Sequence, residues 1–245
     1  IADEFSKFRL LPLKGKSFYQ KFLITVNTYP GNMNIKIGNI VLNPAVDFLI
    51  EPSSPSITGE YKIVCTNRKY LSRSENLIFL QRKSENAFVY IDASDKTGES
   101  KEETKIINEA IEFIKYAPAL KIKGVIIFSK DKLSFGIAQN QTERPIIYLA
   151  KELKDTDFTN IVVDIEAKLL QKYETRNVAG MIKGVEKPDS FIVITSHYDH
   201  LGKFGSDVFF PGANDNASGV AMLLNIAKYY SINPPKYSIV FVALS

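Results

Sequence analysis

The sequence predicts an α/β fold, with a mixed-sheet domain and a smaller α+β region. Residues 191–195 form a short, apolar, β-branched run that is typical of a strand buried on both faces of a parallel or mixed sheet. From residue 217 apolar side chains recur every three or four positions, which predicts a helix, and a second apolar strand follows at 237–244. This strand, helix and strand order indicates the mixed sheet.

The amino-terminal residues 1–51 contain β-like stretches at 23–26 and 35–42, separated by a Pro-Gly turn. The Pro- and Ser-rich segment 52–56 follows and marks a candidate domain boundary. A second candidate boundary lies at residues 155–157. The chain between these two boundaries is therefore predicted to form a separate region.

That middle region alternates strand-like segments with one amphipathic helix. The predicted strands are 61–65, 76–80, 87–91, 124–128 and 144–148. The helix is predicted at 101–116, followed by Pro118. Its apolar stripe consists of Ile106, Ile107, Ala110, Ile111 and Ile114. These apolar positions indicate a core, and no residue of the region has a pattern typical of catalysis.

Both histidines of the chain lie just after the strand at 191–195. His197 is predicted at the carboxyl end of this strand, where open α/β sheets bind ligands. Asp215 lies directly before the helix that starts near residue 217, where the helix dipole favours an ionised and fixed carboxylate. Because imidazole and carboxylate groups bind zinc, His197 and Asp215 are candidate metal ligands.

The segments around these residues resemble the di-zinc aminopeptidases of the glutamate-carboxypeptidase-like metallopeptidases. They read Thr-Arg-Asn-Val-Ala-Gly at 175–180, His-Tyr-Asp-His-Leu-Gly at 197–202, Pro-Gly-Ala-Asn-Asp-Asn-Ala-Ser-Gly-Val at 211–220, and the strand at 237–244. Their order and spacing agree over roughly seventy residues. The resemblance implies that His197 binds one zinc, that Asp215 bridges two, and that Asp199 accepts the other ring N–H of His197. For His200 we expect a structural hydrogen bond.

The middle region, which ends in a Pro-Ile-Ile strand, resembles the protease-associated domain that some exported relatives carry as an insertion. The resemblance implies that residues 1–51 are the amino-terminal segment of the peptidase domain and that 52–157 are the inserted domain. Residues 158–245 would then be the first part of the zinc-peptidase catalytic domain. The insertion has two interpretations, either a lid or substrate-selecting wall over the cleft, or a passive spacer.

The family also has ligands that this sequence does not contain. A Glu-Glu pair follows the strand that corresponds to 237–244, and further aspartate and histidine ligands come later, whereas this sequence stops at Ser245. We therefore expect a truncated chain that binds zinc weakly or not at all and is inactive alone. The complete form is predicted to be a zinc-dependent aminopeptidase that hydrolyses amino-terminal peptide bonds of peptide substrates. The alternative is a non-catalytic peptide-binding or scaffold protein with a peptidase-like fold.

Two other hydrolytic chemistries are disfavoured. The metallo-β-lactamase-like hydrolases need an additional histidine where Thr195 stands, and they need more histidines than the 2 in this chain. Nucleophilic catalysis has little support, because the sequence has no Gly-x-Ser-x-Gly turn and Cys65 has no histidine near it.

Composition sets the remaining expectations. The net charge of +4 is spread along the chain, which argues against a nucleic-acid partner, and no apolar run has the length of a membrane span. The chain begins with Ile1, from which we expect a removed leader and an exported protein. Truncation would leave sheet edges and apolar faces uncovered, so we expect the chain to associate with itself.

Overall fold

The computed structural model describes residues 1–154 and 158–245. The first strands are β1 (Leu11–Pro12), β2 (Tyr19–Thr28), β3 (Met33–Ile37), β4 (Ile40–Leu42), β5 (Phe48–Ile50), β6 (Ile57–Asn67), β7 (Phe88–Asp92) and β8 (Gly124–Phe128). The later strands are β9 (Ile146–Leu149), β10 (Asn160–Ile165), β11 (Lys168–Ile182), β12 (Lys187–His197), β13 (Lys203–Phe204), β14 (Val208–Phe209) and β15 (Tyr237–Leu244). The helices are α1 (Ala2–Lys7), α2 (Arg68–Leu71), α3 (Ser74–Lys83), α4 (Lys101–Tyr116) and α5 (Ser218–Ile232).

The chain divides into two compact units, and the first contains the candidate metal ligands. It comprises Ile1–Ile24, Gln171–Gly202 and Phe210–Ser245. Its sheet has the order β1-β11-β15-β12, with β12 and β15 parallel and the other pairs along this path antiparallel. The core consists of Phe5, Leu10, Val178, Leu223, Ala227, Ile239, Phe241 and Ala243. The mixed sheet predicted from the strand and helix pattern is therefore confirmed.

The first unit corrects one prediction about burial. The run at 191–195 does form a strand, within β12, but Phe191, Ile192 and Val193 are 58%, 49% and 59% exposed. The prediction that this strand is buried on both faces is wrong. Among the described residues β12 pairs only with β15, so it is an edge strand of this sheet.

The second unit comprises Thr25–Leu170 and Lys203–Phe209. Its large sheet has the order β4-β3-β10-β6-β7-β8-β9-β5, and the strands from β6 to β9 are parallel. The core joins this sheet to the helices. Its members are Val64, Leu71, Leu80, Ala87, Val89, Ile91, Ala93, Ile107, Ala110, Ile111, Ile114, Leu120, Ile122, Val125, Ile127 and Ile146.

Helix α4 occupies the range predicted from its amphipathic pattern. It begins with a capping box, in which the Ser100 hydroxyl accepts from the Glu103 amide at 3.1 Å and the Glu103 carboxylate accepts from the Ser100 amide at 2.9 Å. Ile106 was predicted on the buried stripe but is 39% exposed, since it lies at the margin of the buried face. The predicted strands at 124–128 and 237–244 coincide with β8 and β15.

The strand predicted at 76–80 is wrong, because these residues lie in α3. Leu77 and Leu80 are three positions apart and both pack on the core, whereas the two residues between them are 56% and 61% exposed. A short apolar run does not distinguish a buried strand from a helix. Charged and straight-chain residues on both sides of the run favour the helix.

The stretch predicted as one strand at 35–42 is a hairpin. β3 and β4 pair antiparallel, and Ile37 is in register with Ile40. Gly38 lies in the turn between them with φ of 54°, a conformation that favours glycine.

The predicted boundary at residue 52 falls inside the second compact unit, which begins at Thr25. This unit starts earlier because β3 pairs with β10 and β5 pairs with β9. The other predicted boundary, at 155–157, lies outside the described residues. In the part of the chain that the structure describes, no helix is long and apolar enough to cross a membrane.

Candidate metal centre

The candidate centre lies at the carboxyl end of β12, in the first unit. His197 is the last residue of β12 and is in register with Leu244 of the parallel strand β15. Just beyond it, the Tyr198 amide donates to the Leu244 carbonyl at 2.8 Å. The sheet therefore fixes the backbone on both sides of His197, at the edge where the sequence predicted a ligand site.

Each ring nitrogen of His197 faces an aspartate. Nε2 lies 3.1 Å from Oδ1 of Asp215. Nδ1 lies 3.1 Å from the main-chain oxygen of Asp199 and 3.4 Å from its Oδ1. The structure thus brings together the three residues that the sequence singled out, and Asp199 contacts the ring through its carbonyl as well as its carboxylate. The side chains of His197, Asp199 and Asp215 are 43%, 49% and 72% exposed, so a ligand can reach them from solvent.

Asp215 lies in an irregular helical turn, Ala213–Ala217, that leads into α5. Its φ and ψ of −121° and 86° are non-helical, and its peptide bond to Asn216 is cis. The Ser218 hydroxyl donates to the Asn214 carbonyl at 2.8 Å across this turn. The carboxylate therefore precedes the helix as predicted, but it is carried by a turn with its own hydrogen bonds.

The second histidine packs against the backbone of the same loop. A Cβ at Gly212 would lie 3.2 Å from Cγ of His200 and 3.1 Å from the carbonyl oxygen of Asp215. Both spacings are tighter than ordinary van der Waals contact, so a side chain at position 212 would require its neighbours to shift by a few tenths of an ångström. The structural hydrogen bond expected for His200 stays a prediction, and the residue against which its ring packs is Gly212.

The donors and their spacing fit part of a zinc site. Zinc binds imidazole nitrogen and carboxylate oxygen at about 2.0–2.2 Å, so two atoms on one ion lie at most about 4 Å apart. The 3.1 Å between Nε2 of His197 and Oδ1 of Asp215 satisfies this limit. Within residues 1–154 and 158–245, however, no group of three or more His, Cys, Asp or Glu could hold a metal ion.

Sequence reasoning missed the contribution of Asn216. Its side chain joins Ser196 on β12 to the first turn of α5, through hydrogen bonds on both ends of the amide. The only signal in the sequence was an asparagine next to a candidate ligand. Asparagine is also common in turns, so its presence there does not by itself indicate a bridging role.

The second unit contains a cleft of about 710 Å³ to which no sequence motif pointed. Four of the charged side chains in its lining form two ion pairs, Lys96 with Asp131 and Lys115 with Glu112, each at 2.8 Å. Burial lowers the pKa of Lys115, but the hydrogen bond to Glu112 and the neighbouring tyrosines outweigh it and raise that pKa above its ordinary value. These four groups thus neutralise one another.

The carboxyl-terminal part of the chain is similar to a known peptidase family. Residues 177–245 match the model of peptidase family M28. The matched range contains His197, Asp199 and Asp215, and it ends with strand β15. This match confirms the resemblance to metallopeptidases that the motifs in that part of the chain indicated.

Two curated relatives show how the similarity is distributed. A probable zinc metalloprotease of Pyricularia oryzae is 37% identical over 73 residues, which are 28% of this chain and 14% of that protein. Aminopeptidase YwaD of Bacillus subtilis is 29% identical over 138 residues, which are 53% of this chain and 28% of that protein. The matched segments therefore span less than a third of either relative.

Solved structures share the fold over nearly the whole chain. A zinc aminopeptidase from Bacillus subtilis superposes with a TM-score of 0.62 at 19% identity, covering 99% of this chain and 53% of that one. An aminopeptidase from Aneurinibacillus gives a TM-score of 0.56 at 18% identity, covering 99% and 54%. At this identity the likeness establishes the fold, and it confirms the predicted mixed α/β class.

Proposed function

We propose that the protein to which this sequence belongs is a zinc-dependent aminopeptidase, which hydrolyses amino-terminal peptide bonds. The observation that carries the proposal is the 3.1 Å approach of His197 Nε2 to Asp215 Oδ1 within a segment that matches peptidase family M28. The names of the Bacillus subtilis relatives, an aminopeptidase and a zinc aminopeptidase, support the same activity.

In this proposal His197 and Asp215 hold zinc, with Asp215 shared between two ions. A zinc ion supplies Lewis-acid activation of water and of the scissile carbonyl when it is bound. Asp199 holds Nδ1 of His197, which keeps the ring oriented and leaves Nε2 directed at Asp215. The Ala213–Ala217 turn presents the Asp215 carboxylate to this nitrogen. No general base is assigned among the residues that the structure describes.

Two ligands are fewer than the three protein ligands that catalytic zinc usually has. We therefore propose that this chain alone binds zinc weakly and does not hydrolyse peptides. The second candidate function is a non-catalytic peptide-binding or scaffold protein. The small number of ligands favours it too, since the described residues contain no group of three side chains that could hold a metal ion. The two functions differ in whether His197 and Asp215 bind zinc at all.

The finer assignments are also proposals. We propose that the region 52–157 is a protease-associated-like domain, and its two interpretations, a lid or substrate-selecting wall and a passive spacer, both stay open. Its alternating strands and amphipathic helix support a compact insertion with its own core. We further propose an exported protein, because some of the relatives that carry a protease-associated domain are exported.

Zinc titration of this chain by isothermal titration calorimetry tests the ligand assignment. We expect a weak binding signal that His197→Ala and Asp215→Ala each reduce at least about tenfold in affinity, because each removes a ligand. Asp199→Asn should have a smaller effect, since it alters only the orientation of the ring. Asp189→Asn, an exposed change on the same strand, is the matched control and should bind like the wild type. Equal affinity of the wild type and His197→Ala would contradict the assignment.

A further inference from the structure

Two residues outside the proposed ligand set form a second link between the same two segments. Ser196 directly precedes His197, and Asn216 directly follows Asp215. Asn216 Nδ2 donates to Ser196 Oγ at 3.0 Å, alongside the 3.1 Å contact of His197 with Asp215. The end of β12 and the loop are therefore joined at two adjacent positions.

The other end of the Asn216 amide is fixed to α5. Its Oδ1 accepts a hydrogen bond from the Gly219 amide at 3.0 Å. The N-cap residue of α5, Ala217, has no side chain that can accept such a bond, so Asn216 satisfies an amide of the first turn instead. The asparagine thus spans the gap between the sheet and the helix.

Gly219 is needed for this arrangement. A Cβ at position 219 would lie 2.3 Å from Oδ1 of Asn216 and 2.7 Å from both its Cγ and its Nδ2. Contacts under 3 Å essentially do not occur for real Cβ atoms, so any larger residue at 219 would displace the amide.

The two hydrogen-bond partners of Asn216, Ser196 and Gly219, belong to a strand and a helix. Asp215 and Asn216 themselves lie outside regular structure. Ser196 is 7% exposed and is in register with Ala243 in the sheet, and α5 buries Leu223 in the core. Asp215 and Asn216 have non-helical φ and ψ angles. Their orientation therefore depends on side-chain contacts, which are those of Asp215 with His197 on β12 and of the Asn216 amide with Ser196 and Gly219.

We infer that Asn216 is a positioning residue, which holds the Asp215 carboxylate within ligand reach of His197 by bridging Ser196 and Gly219. The consequence for zinc rests on the proposed function, but the consequence for the distance between His197 and Asp215 does not. If the bridge is cut, Asp215 loses its fixed direction while the fold of the sheet and helix remains.

Metal-free crystal structures provide the first test. In Asn216→Ala, Nε2 of His197 and Oδ1 of Asp215 should move beyond hydrogen-bond reach. Ser196→Ala keeps the bond from Gly219 and so preserves the helix start, which makes it the safer variant for folding, and it should loosen the same contact. Ser196→Thr retains a hydroxyl and should restore it. An unchanged distance in Asn216→Ala and Ser196→Ala would overturn the inference.

Zinc affinity provides the second test, measured by calorimetry on the same proteins. Ser196→Ala and Asn216→Ala should each weaken zinc binding by less than the loss of either ligand, towards the lower end of the roughly 10- to 100-fold range typical of residues that orient metal ligands. The double variant should bind zinc with the same affinity as Asn216→Ala, because both substitutions remove the same hydrogen bond between Ser196 and Asn216. Ser231→Ala is the matched control, since it removes a side-chain hydrogen bond to the Lys228 carbonyl at the far end of α5, and it should bind zinc like the wild type.

The outcomes separate this inference from the proposed function. Wild-type zinc binding with unchanged affinity in all variants would overturn the positioning role and leave the peptidase proposal in place. Absence of zinc binding by the wild type, together with a lost contact in the metal-free variants, would support the positioning role and count against the zinc site.

Discussion

His197 has its two ring nitrogens in different surroundings, and this division decides what the residue can do. Nδ1 is held by Asp199, through the main-chain oxygen at 3.1 Å and the carboxylate at 3.4 Å. Nε2 faces the exposed carboxylate of Asp215. Such an arrangement fixes the ring and leaves one nitrogen for a ligand, as metal-binding histidines require.

A second charged contact at the residue scale stabilises the other unit. Arg68 donates from Nε and from a terminal nitrogen to the two carboxylate oxygens of Glu99, each at 2.6 Å, and the two side chains are only 5% and 13% exposed. The Arg68 hydrogen bonds lower the pKa of Glu99 below its ordinary value, against the opposing effect of burial. Two-point pairing of this kind is strong and geometrically specific.

We predict that Glu99→Gln lowers the free energy of unfolding by about 3 kcal/mol at neutral pH, because it leaves Arg68 buried without its counter-ion. Since the folded pKa of Glu99 is depressed, its stabilising contribution is present above the unfolded pKa and is lost as pH falls through the folded value. The difference between wild type and variant should therefore shrink in acid. Urea denaturation at several pH values measures this effect.

The exposed Glu102→Gln change, three residues further along, is the control and should stay within about 0.5 kcal/mol of the wild type. A Glu99→Gln variant as stable as this control would show that the buried pair contributes nothing.

For single residues, the sequence predicted contacts only where the residues belong to a recognisable sequence motif. His197 and Asp199 are neighbours in one motif, and Asp215 was found through its place before a helix. The pair of Arg68 with Glu99 gave no signal, because 31 positions separate the two residues. The bridge from Ser196 to Asn216 was missed because it depends on how a loop closes on a strand.

At the scale of elements, β12 is an exposed edge strand of the first unit. Its exposed apolar residues include Phe191 and Val193, and it lies at the edge of the described sheet. An edge strand offers unpaired backbone groups to another chain, and exposed apolar side chains favour such pairing.

We therefore expect this chain to self-associate through β12. Val193→Lys should shift the equilibrium towards monomer, since a charged edge residue opposes pairing of strands. Sedimentation velocity over a range of protein concentrations measures the effect. Val185→Lys, at a position that is 66% exposed outside β12, adds the same charge and should not dissociate the protein. A wild-type chain that is monomeric at every concentration, or equal effects of the two substitutions, would contradict the expectation.

Element prediction was secure where the periodicity was long, and it gave the wrong element type at one short apolar run. Helix α4 has sixteen residues, a capping box and a regular apolar stripe, so the pattern admits one interpretation. The apolar run at 76–80 is too short to distinguish a helix from a strand. Its helical state follows from packing of Leu77 and Leu80 on the core. The exposure of β12 could not be predicted, because an apolar strand has the same sequence at the centre and at the edge of a sheet.

At the scale of the molecule, the chain has two compact units with separate cores, and the proposed chemistry belongs to one of them. The predicted insertion at 52–157 corresponds to the central part of the second unit, up to its undescribed residues 155–157. Its earlier strands could not be assigned from sequence, since β3 and β5 join that unit through pairing with the distant strands β10 and β9, and β4 joins it through its hairpin with β3.

The most direct test of the central claim is hydrolysis of a panel of aminoacyl anilides by the full product of the gene that encodes this chain, with zinc content measured in parallel. We predict zinc-dependent release of the amino-terminal residue, restored by zinc after chelation and abolished by Asp215→Ala. Full activity of Asp215→Ala, or hydrolysis that continues without zinc, would contradict the claim that His197 and Asp215 form a catalytic zinc site.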